Sequence, residues 1–206
     1  MVFNSFKHLI PSFSLVKTFI CYTGIGYINS FMSINMLNPL KSSLPLPDLM
    51  FDLFSHVSDL IPHGMLFLLT CVTLFKLRKN SETLIGMYNR ISLLFVLRVL
   101  CFTMTRLPPP QPGCVSREIG EAYHWNVVRD LVESRALTCS DMMFSGHAIH
   151  FVAFWHVLYS DLSFWGRIGL GVYVGLGLVS IVASHLHYSA DVLVGAALTF
   201  LVFRLG

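Results

Sequence analysis

The chain has 206 residues, of which 54% are hydrophobic and only 12% are charged, and its formal net charge at pH 7 is +3. A soluble domain carries about twice that charged fraction, so the composition disfavours a water-soluble fold and excludes a disordered or nucleic-acid-binding chain. The small positive charge requires no acidic partner.

Six apolar segments approach the length of about 20 residues that a helix needs to cross a bilayer. They predict an all-α, polytopic membrane protein in which residues 1–206 form a single domain of six transmembrane helices. The first segment is too long for the apolar region of a signal peptide, so we expect it to be retained. The segments cover residues 13–34, 60–75, 87–104, 144–159, 165–184 and 190–205.

The basic residues predict the orientation of these segments, because short cytosolic loops are enriched in lysine and arginine. If six helices alternate in direction, the long 105–143 loop, the turn around His187 and three aspartates lie on the opposite, lumenal or extracellular side. Lys41 also lies there, as an exception. We therefore expect a multi-pass protein of the Golgi, plasma or endoplasmic reticulum membrane. The residues on the predicted cytosolic side are Lys7, Lys17, Lys76, Arg78, Lys79, Arg90, Arg167 and Arg204, and the aspartates are Asp48, Asp52 and Asp59.

Two of the five cysteines stand apart from the apolar segments. Cys114 and Cys139 both belong to the long loop on the predicted oxidising side, where a disulfide between them is permitted. The sequence does not fix their separation, so the pairing stays open.

Ionisable residues near or inside the apolar segments are the first candidates for function, because lipid makes them costly to bury. They gather at residues 139–147, which lead into the fourth segment, and at residues 185–191, which lead into the sixth. Both clusters fall on the predicted non-cytosolic side. We expect them to converge into one site.

The second cluster contains a pair that is suited to nucleophilic chemistry. His187 and Asp191 are four residues apart, so on a helix they would share one face. The carboxylate would fix the tautomer of the imidazole and leave its other nitrogen free to attack. His147 would supply an opposing acid or base, and Gly146 would let a phosphate approach the start of the helix. This set predicts phosphoryl transfer through a phosphohistidine.

These residues also resemble known family motifs. Ser145-Gly146-His147 and His187-x-x-x-Asp191 resemble two signatures of the type 2 phosphatidic acid phosphatase (PAP2) superfamily. The wider strings are most similar to its sphingomyelin synthase branch. The chain lacks the Lys-x6-Arg-Pro motif of the lipid phosphatases, which argues against a plain phosphatase. The matching strings are Pro45-Leu46-Pro47-Asp48, Arg98-x6-Thr105-x-Leu107-Pro108, Cys139-Ser140-Asp141-x3-Ser145-Gly146-His147 and His187-Tyr188-Ser189-Ala190-Asp191-Val192.

The resemblance implies a six-helix core with a lumen-facing site that needs no metal or organic cofactor. It implies that phosphocholine moves from phosphatidylcholine to ceramide, which gives sphingomyelin and diacylglycerol. In this scheme His187 is the nucleophile, Asp191 orients it, and His147 serves as acid and then as base. The motif residues expected to contact the substrate are Arg98, Asp141, Ser145, Gly146 and Tyr188.

Several alternatives remain open at this stage. The headgroup could be ethanolamine or inositol, and the acceptor could be diacylglycerol or water. A metal-dependent membrane oxidoreductase would use the histidines and Asp191 as ligands, and a non-catalytic lipid-binding protein would not turn over at all. The expected partners are membrane lipids, nucleic acid is not among them, and self-association is left open. The ligands of that alternative metal centre would be His147, His150, His185, His187 and Asp191.

Overall fold

The computed structural model of the chain describes residues 13–35, 44–105, 107–111 and 143–205. Within these residues the fold is all-helical, as the sequence predicts. The helices are α1 (Phe13–Asn35), α2 (Leu49–Leu53), α3 (Leu60–Leu77), α4 (Ser81–Met104), α5 (Gly146–Tyr159), α6 (Phe164–Ala183) and α7 (Ser189–Leu205).

Each of the six predicted segments forms one long helix, and the short α2 was not predicted. The largest difference in bounds is at α4, which begins at Ser81 rather than Met87. Asn80 starts this helix, since its side-chain oxygen accepts a hydrogen bond from the Thr83 amide at 3.1 Å. The first turns of α4 carry polar residues, so apolar periodicity misses them.

Three of these helices, α3, α4 and α6, are long and apolar enough to cross a membrane. Helices α5 and α7 have 14 and 17 residues and are therefore short for a span. Helix α1 has 23 residues but is interrupted by polar side chains such as Lys17 and Asn29. A membrane-spanning character is thus supported for three helices, and six spans remain a prediction.

Helix α5 lies at the centre of the bundle, where it contacts α3, α4, α6 and α7, while α1 packs along α4. Its apolar face is fully buried, with Ala148, Ile149, Phe151 and Ala153 each 0% exposed. The N-terminal end of α5, which begins at Gly146, is therefore held by packing against several helices. This position makes the start of α5 a rigid place for functional side chains.

Helices α5 and α6 pack closely where Gly177 faces the Phe151 ring. A methyl group added at Gly177 would lie 2.5 Å from the Phe151 ring, which is closer than side-chain carbons approach. We expect Gly177→Ala to destabilise the fold by about 1–3 kcal/mol, because the buried ring has no space into which it can move. Thermal unfolding in detergent micelles measures this effect. Gly175→Ala is the matched control, because its added methyl group meets no atom within 4 Å; an equal unfolding temperature for both variants would contradict the prediction.

The two ends of the bundle differ in charge. At one end, Lys76 Nζ lies 3.5 Å from Asp161 Oδ2, which joins the α3–α4 turn to the α5–α6 turn. The Arg167 guanidinium at this end donates to the carbonyls of Tyr159 and Ser160, each at 3.2 Å. The starts of α3, α5 and α7 are at the other end. The separation that the sequence predicts is present, and which end faces the cytosol stays a prediction.

Candidate active site

The two ionisable clusters meet through the backbone at the start of α5. Ser145 caps this helix, since its Oγ accepts a hydrogen bond from the Ala148 amide at 3.3 Å. The Ser145 amide in turn donates to the Asp191 carbonyl in α7 at 3.1 Å. A methyl group at Gly195 would lie 3.1 Å from the Ser145 carbonyl oxygen, so this glycine allows α7 to approach so closely. Ser145 therefore fixes the two helix starts relative to each other.

His187 and Asp191 are buried beside each other, but not on one helix. His187 lies two residues before α7, so the prediction that the pair shares a helical face is wrong in this detail. His187 Nδ1 is 3.8 Å from Asp191 Oδ2. This separation exceeds a hydrogen bond, and Nδ1 has no hydrogen-bond partner among the described residues. Catalytic hydrogen bonds often tighten once substrate binds.

The Asp191 carboxylate also holds the backbone around His187. Its Oδ2 accepts a hydrogen bond from the Tyr188 amide at 3.3 Å. The same oxygen thus faces the imidazole and caps the beginning of α7. This arrangement keeps a negative charge beside the His187 ring.

His147, in the first turn of α5, is partly exposed, and the backbone contact between Ser145 and Asp191 brings it to the same end of the bundle as His187. A third imidazole joins them, because the His63 ring of α3 is 4.8 Å from the His147 ring, centroid to centroid. The motifs do not include His63. The signal that could have identified it is an ionisable side chain inside an apolar segment.

Arg98 places a buried cation next to the start of α5. Its Nε donates to the Phe144 carbonyl at 2.9 Å, and its Nη1 donates to Asn29 Oδ1 in α1. Phe144 has a φ of 23°, which is an unusual backbone conformation for a residue with a side chain. A methyl group at Gly146 would be 3.9 Å from the guanidinium carbon. Arg98 thus brings positive charge to the helix start that the sequence predicts for phosphate.

Asp48 and Tyr188 tie the loops at this end to α7. Asp48 Oδ2 accepts a hydrogen bond from the Ser189 amide at 2.7 Å, and Oδ1 accepts one from Met50 at 3.0 Å. The Tyr188 hydroxyl donates to the Pro108 carbonyl and accepts from the Leu46 amide, both at 3.0 Å. Burial raises the pKa of the Tyr188 phenol, so it stays neutral. These contacts give the Pro-Leu-Pro-Asp motif a structural role, and a substrate contact for Tyr188 remains a prediction.

An open cavity of about 810 Å³ lies at the same end of the bundle. His185, which lines it, has a φ of 55° and stacks on Phe51 with ring centroids 4.2 Å apart. Burial and the neighbouring His56 lower the pKa of His185, while Asp48 opposes them, so the ring is neutral at pH 7. The cavity is lined by His56, Ser58, Asp59, Gln111, Ser184 and His185.

The remaining predicted residues do not belong to this arrangement. Asp141, Cys114 and Cys139 lie outside the described residues, so the loop motif and the disulfide stay predictions. His150 is held by the Gly146 carbonyl and the Tyr22 hydroxyl, both at 2.8 Å, which fits a structural histidine. Across the parts of the chain that the structure describes, no three His, Cys, Asp or Glu side chains are grouped to hold a metal ion.

Comparisons with known proteins give one family match and two similar curated proteins. Residues 138–206, which include α5, α6, α7 and both histidines, match the family model for the C-terminal part of the PAP2 superfamily. Two curated relatives are named phosphatidylethanolamine:ceramide ethanolaminephosphotransferase. One is from Trypanosoma brucei brucei strain 927/4 GUTat10.1 and the other from Trypanosoma brucei brucei. Each is 31% identical over an alignment of 134 residues that covers 61% of this chain.

The chain spans about two fifths of the length of these relatives, since the alignments cover 41% of each. The similarities support the sphingolipid synthase branch of the PAP2 superfamily. They do not single out the sphingomyelin synthases that the sequence motifs suggest.

Proposed function

We propose that the chain transfers a phospholipid headgroup to ceramide through a covalent intermediate on His187. The observation that carries the proposal is the grouping of His147, His187 and Asp191 beside the Arg98 cation at the start of α5. Phosphoryl transfer through a covalent intermediate uses a nucleophile, an orienting carboxylate, a second imidazole and a cation. The superfamily match and the two ceramide-using relatives add support.

In the first step, His187 attacks the phosphorus of the donor lipid. Nδ1 faces Asp191, so Nε2 forms the new P–N bond while the bond from phosphorus to the diacylglycerol oxygen breaks. The protonated form of His147 gives its proton to that oxygen. Diacylglycerol leaves, and the phosphorylated headgroup stays on His187. The Asp191 carboxylate stabilises the charge that develops on the ring.

In the second step, ceramide takes the headgroup. Neutral His147 removes the proton from the primary hydroxyl of ceramide, whose oxygen attacks phosphorus while the P–N bond to His187 breaks. His187 returns to the neutral form and His147 to the protonated form, so protons balance over the cycle. One residue acts as acid and then as base, as in other two-step transfers.

Arg98 and the beginning of α5 would stabilise the phosphoryl oxygens in both steps. The guanidinium lies next to Gly146, since a methyl group there would be 3.9 Å from the guanidinium carbon and 3.5 Å from the Phe95 ring. A helix start favours an anion because its amides point outward and its dipole is positive there. In this proposal Gly146 allows a phosphate to approach the backbone closely, and Ser145 holds the helix start.

The open cavity lined by Asp59 and His185 offers groups that suit a cationic headgroup. Among its described lining residues, Asp59 is the one carboxylate, and the others are histidines, serines and a glutamine, which carry hydrogen-bonding groups. A primary ammonium donates several hydrogen bonds to such oxygens, whereas a quaternary ammonium favours aromatic faces. We therefore favour phosphoethanolamine over phosphocholine as the transferred headgroup, which agrees with the activity that the relatives carry in their names.

Asp59→Asn tests this assignment of the headgroup. We expect the KM for phosphatidylethanolamine to rise by about two- to fivefold, because the lost charge is largely solvent-exposed. The KM for phosphatidylinositol, which has no ammonium, is expected to stay unchanged. Asp52→Asn in α2 is the matched control, since Asp52 is exposed and does not line the cavity. Equal KM changes for the two donors would contradict the assignment.

The transferase activity is tested with the purified chain in vesicles that contain ceramide and mixed phospholipids. Mass spectrometry of the products is expected to show a ceramide with a phosphorylated headgroup together with diacylglycerol. Products formed only with diacylglycerol as acceptor, or free headgroup phosphate alone, would replace ceramide transfer with exchange or hydrolysis. Activity lost on chelation would favour the metal-dependent alternative.

We also place the site on the lumenal or extracellular side of a secretory-pathway membrane. The basic turns at the opposite end of the bundle support this orientation through the positive-inside rule. Substrates with two tails would then reach the site from the outer leaflet.

A further inference from the structure

An imidazole outside every recognised motif contacts the proposed acid–base residue. The planes of the His63 and His147 rings are at 83°, with centroids 4.8 Å apart. This edge-to-face geometry is the one that packed aromatic rings prefer. His63 lies in the first turn of α3 and His147 in the first turn of α5, and these helices pack against each other. The contact is therefore built into the packing of the bundle.

The His63 ring is itself held in place. Its Nδ1 faces the Asp59 carbonyl one turn earlier, and this hydrogen bond places the proton of the neutral ring on Nδ1. A carbonyl can only accept, so the tautomer is fixed. A ring whose orientation is fixed in this way can restrict the rotation of a neighbouring side chain.

We propose that His63 is a positioning residue that holds the His147 imidazole in the orientation needed for proton transfer. This inference rests on the proposed function. His147 gives one proton to diacylglycerol and takes one from ceramide, so it completes the cycle without a relay. What it requires is a fixed direction toward the lipid oxygens, and the ring of His63 supplies this by contact.

Several charged or titratable groups face His147 and would shape its pH response together. They are His63 from α3, Arg98 from α4, His150 from α5 and His187 from the segment before α7. Removing the His63 ring changes one of these neighbours and also frees the rotation of His147. We therefore expect the pH profile of kcat to shift when the ring is lost, an effect that a general loss of folding would not produce.

Three variants distinguish the role of the His63 ring from that of its hydrogen bond. We expect His63→Ala to lower kcat by about 10- to 100-fold through misplacement of His147, with the KM values of both lipids changed by less than about twofold. His63→Phe keeps a ring at the contact and is expected to recover most of the activity. His63→Asn keeps a donor toward Asp59 without a ring and is expected to stay as slow as the alanine variant.

Headgroup transfer in vesicles, measured across pH for all variants, tests the inference. His156→Ala is the control, because this histidine lies toward the other end of α5. Thermal unfolding in micelles identifies any variant that has lost its fold. Wild-type kcat in His63→Ala would overturn the positioning role, and so would a His63→Phe variant as slow as His63→Ala. A wild-type chain without transferase activity would instead overturn the proposed function, and the inference with it.

Discussion

We expect His187→Gln to abolish headgroup transfer, with a loss of at least about 10³-fold in kcat/KM, because the glutamine amide cannot form the covalent intermediate. The fold is expected to survive, since His187 Nδ1 makes no hydrogen bond with the described residues. Transfer of a labelled headgroup to ceramide in vesicles measures the loss.

The control for this variant is His156→Gln. His156 belongs to α5, and its ring packs against the rings of Trp155 and Phe203. Its activity is expected to match that of the wild type. Substantial activity in His187→Gln would show that the nucleophile is another residue. An inactive His156→Gln would show that the assay reports folding rather than chemistry.

Asp191→Asn is expected to lower kcat by about 10²- to 10⁴-fold, as when an orienting carboxylate is neutralised beside a catalytic histidine. The amide oxygen can still accept the hydrogen bond from Tyr188, and the Asp191 carbonyl still accepts from Ser145. The loss should therefore appear in turnover and not in the unfolding temperature. Steady-state kinetics and thermal unfolding of the same sample separate the two.

Two further variants serve as comparisons for Asp191→Asn. Asp191→Ala removes the cap of α7 as well and is expected to lower stability by about 1 kcal/mol. Asp161→Asn, at the opposite end of the bundle, is the matched carboxylate control and should keep full activity. An Asp191→Asn variant that unfolds at a much lower temperature would mean that the carboxylate serves the fold more than the chemistry.

Much of the fold follows from the pattern of apolar residues. Each of the six apolar segments coincides with one long helix, because a helix satisfies its own backbone hydrogen bonds where apolar side chains exclude water. The short α2 could not be predicted from the apolar pattern. It lies in a segment of both polar and apolar residues and begins where the Asp48 side chain accepts a hydrogen bond from the Met50 amide. The early start of α4 could not be predicted either, because it also depends on a side-chain cap, in which Asn80 accepts a hydrogen bond from the Thr83 amide.

The meeting of the two histidine clusters could be predicted because both lead into helices from the same end of the bundle. The pairing of His63 with His147 could not, since it depends on how α3 is rotated against α5. The Arg98–Asn29 contact likewise joins residues 69 positions apart in the chain. Sequence spacing shows which residues share an element, and packing decides which of them touch.

The covalent intermediate is the central claim of this account, and it can be observed directly. The wild-type chain would be incubated with the donor phospholipid without ceramide, digested at neutral to alkaline pH, and examined by peptide mass spectrometry. We predict a phosphorylated headgroup on His187 that disappears when ceramide is added. A chain that turns over with no modified residue, or that carries the headgroup on a residue other than His187, would contradict the account.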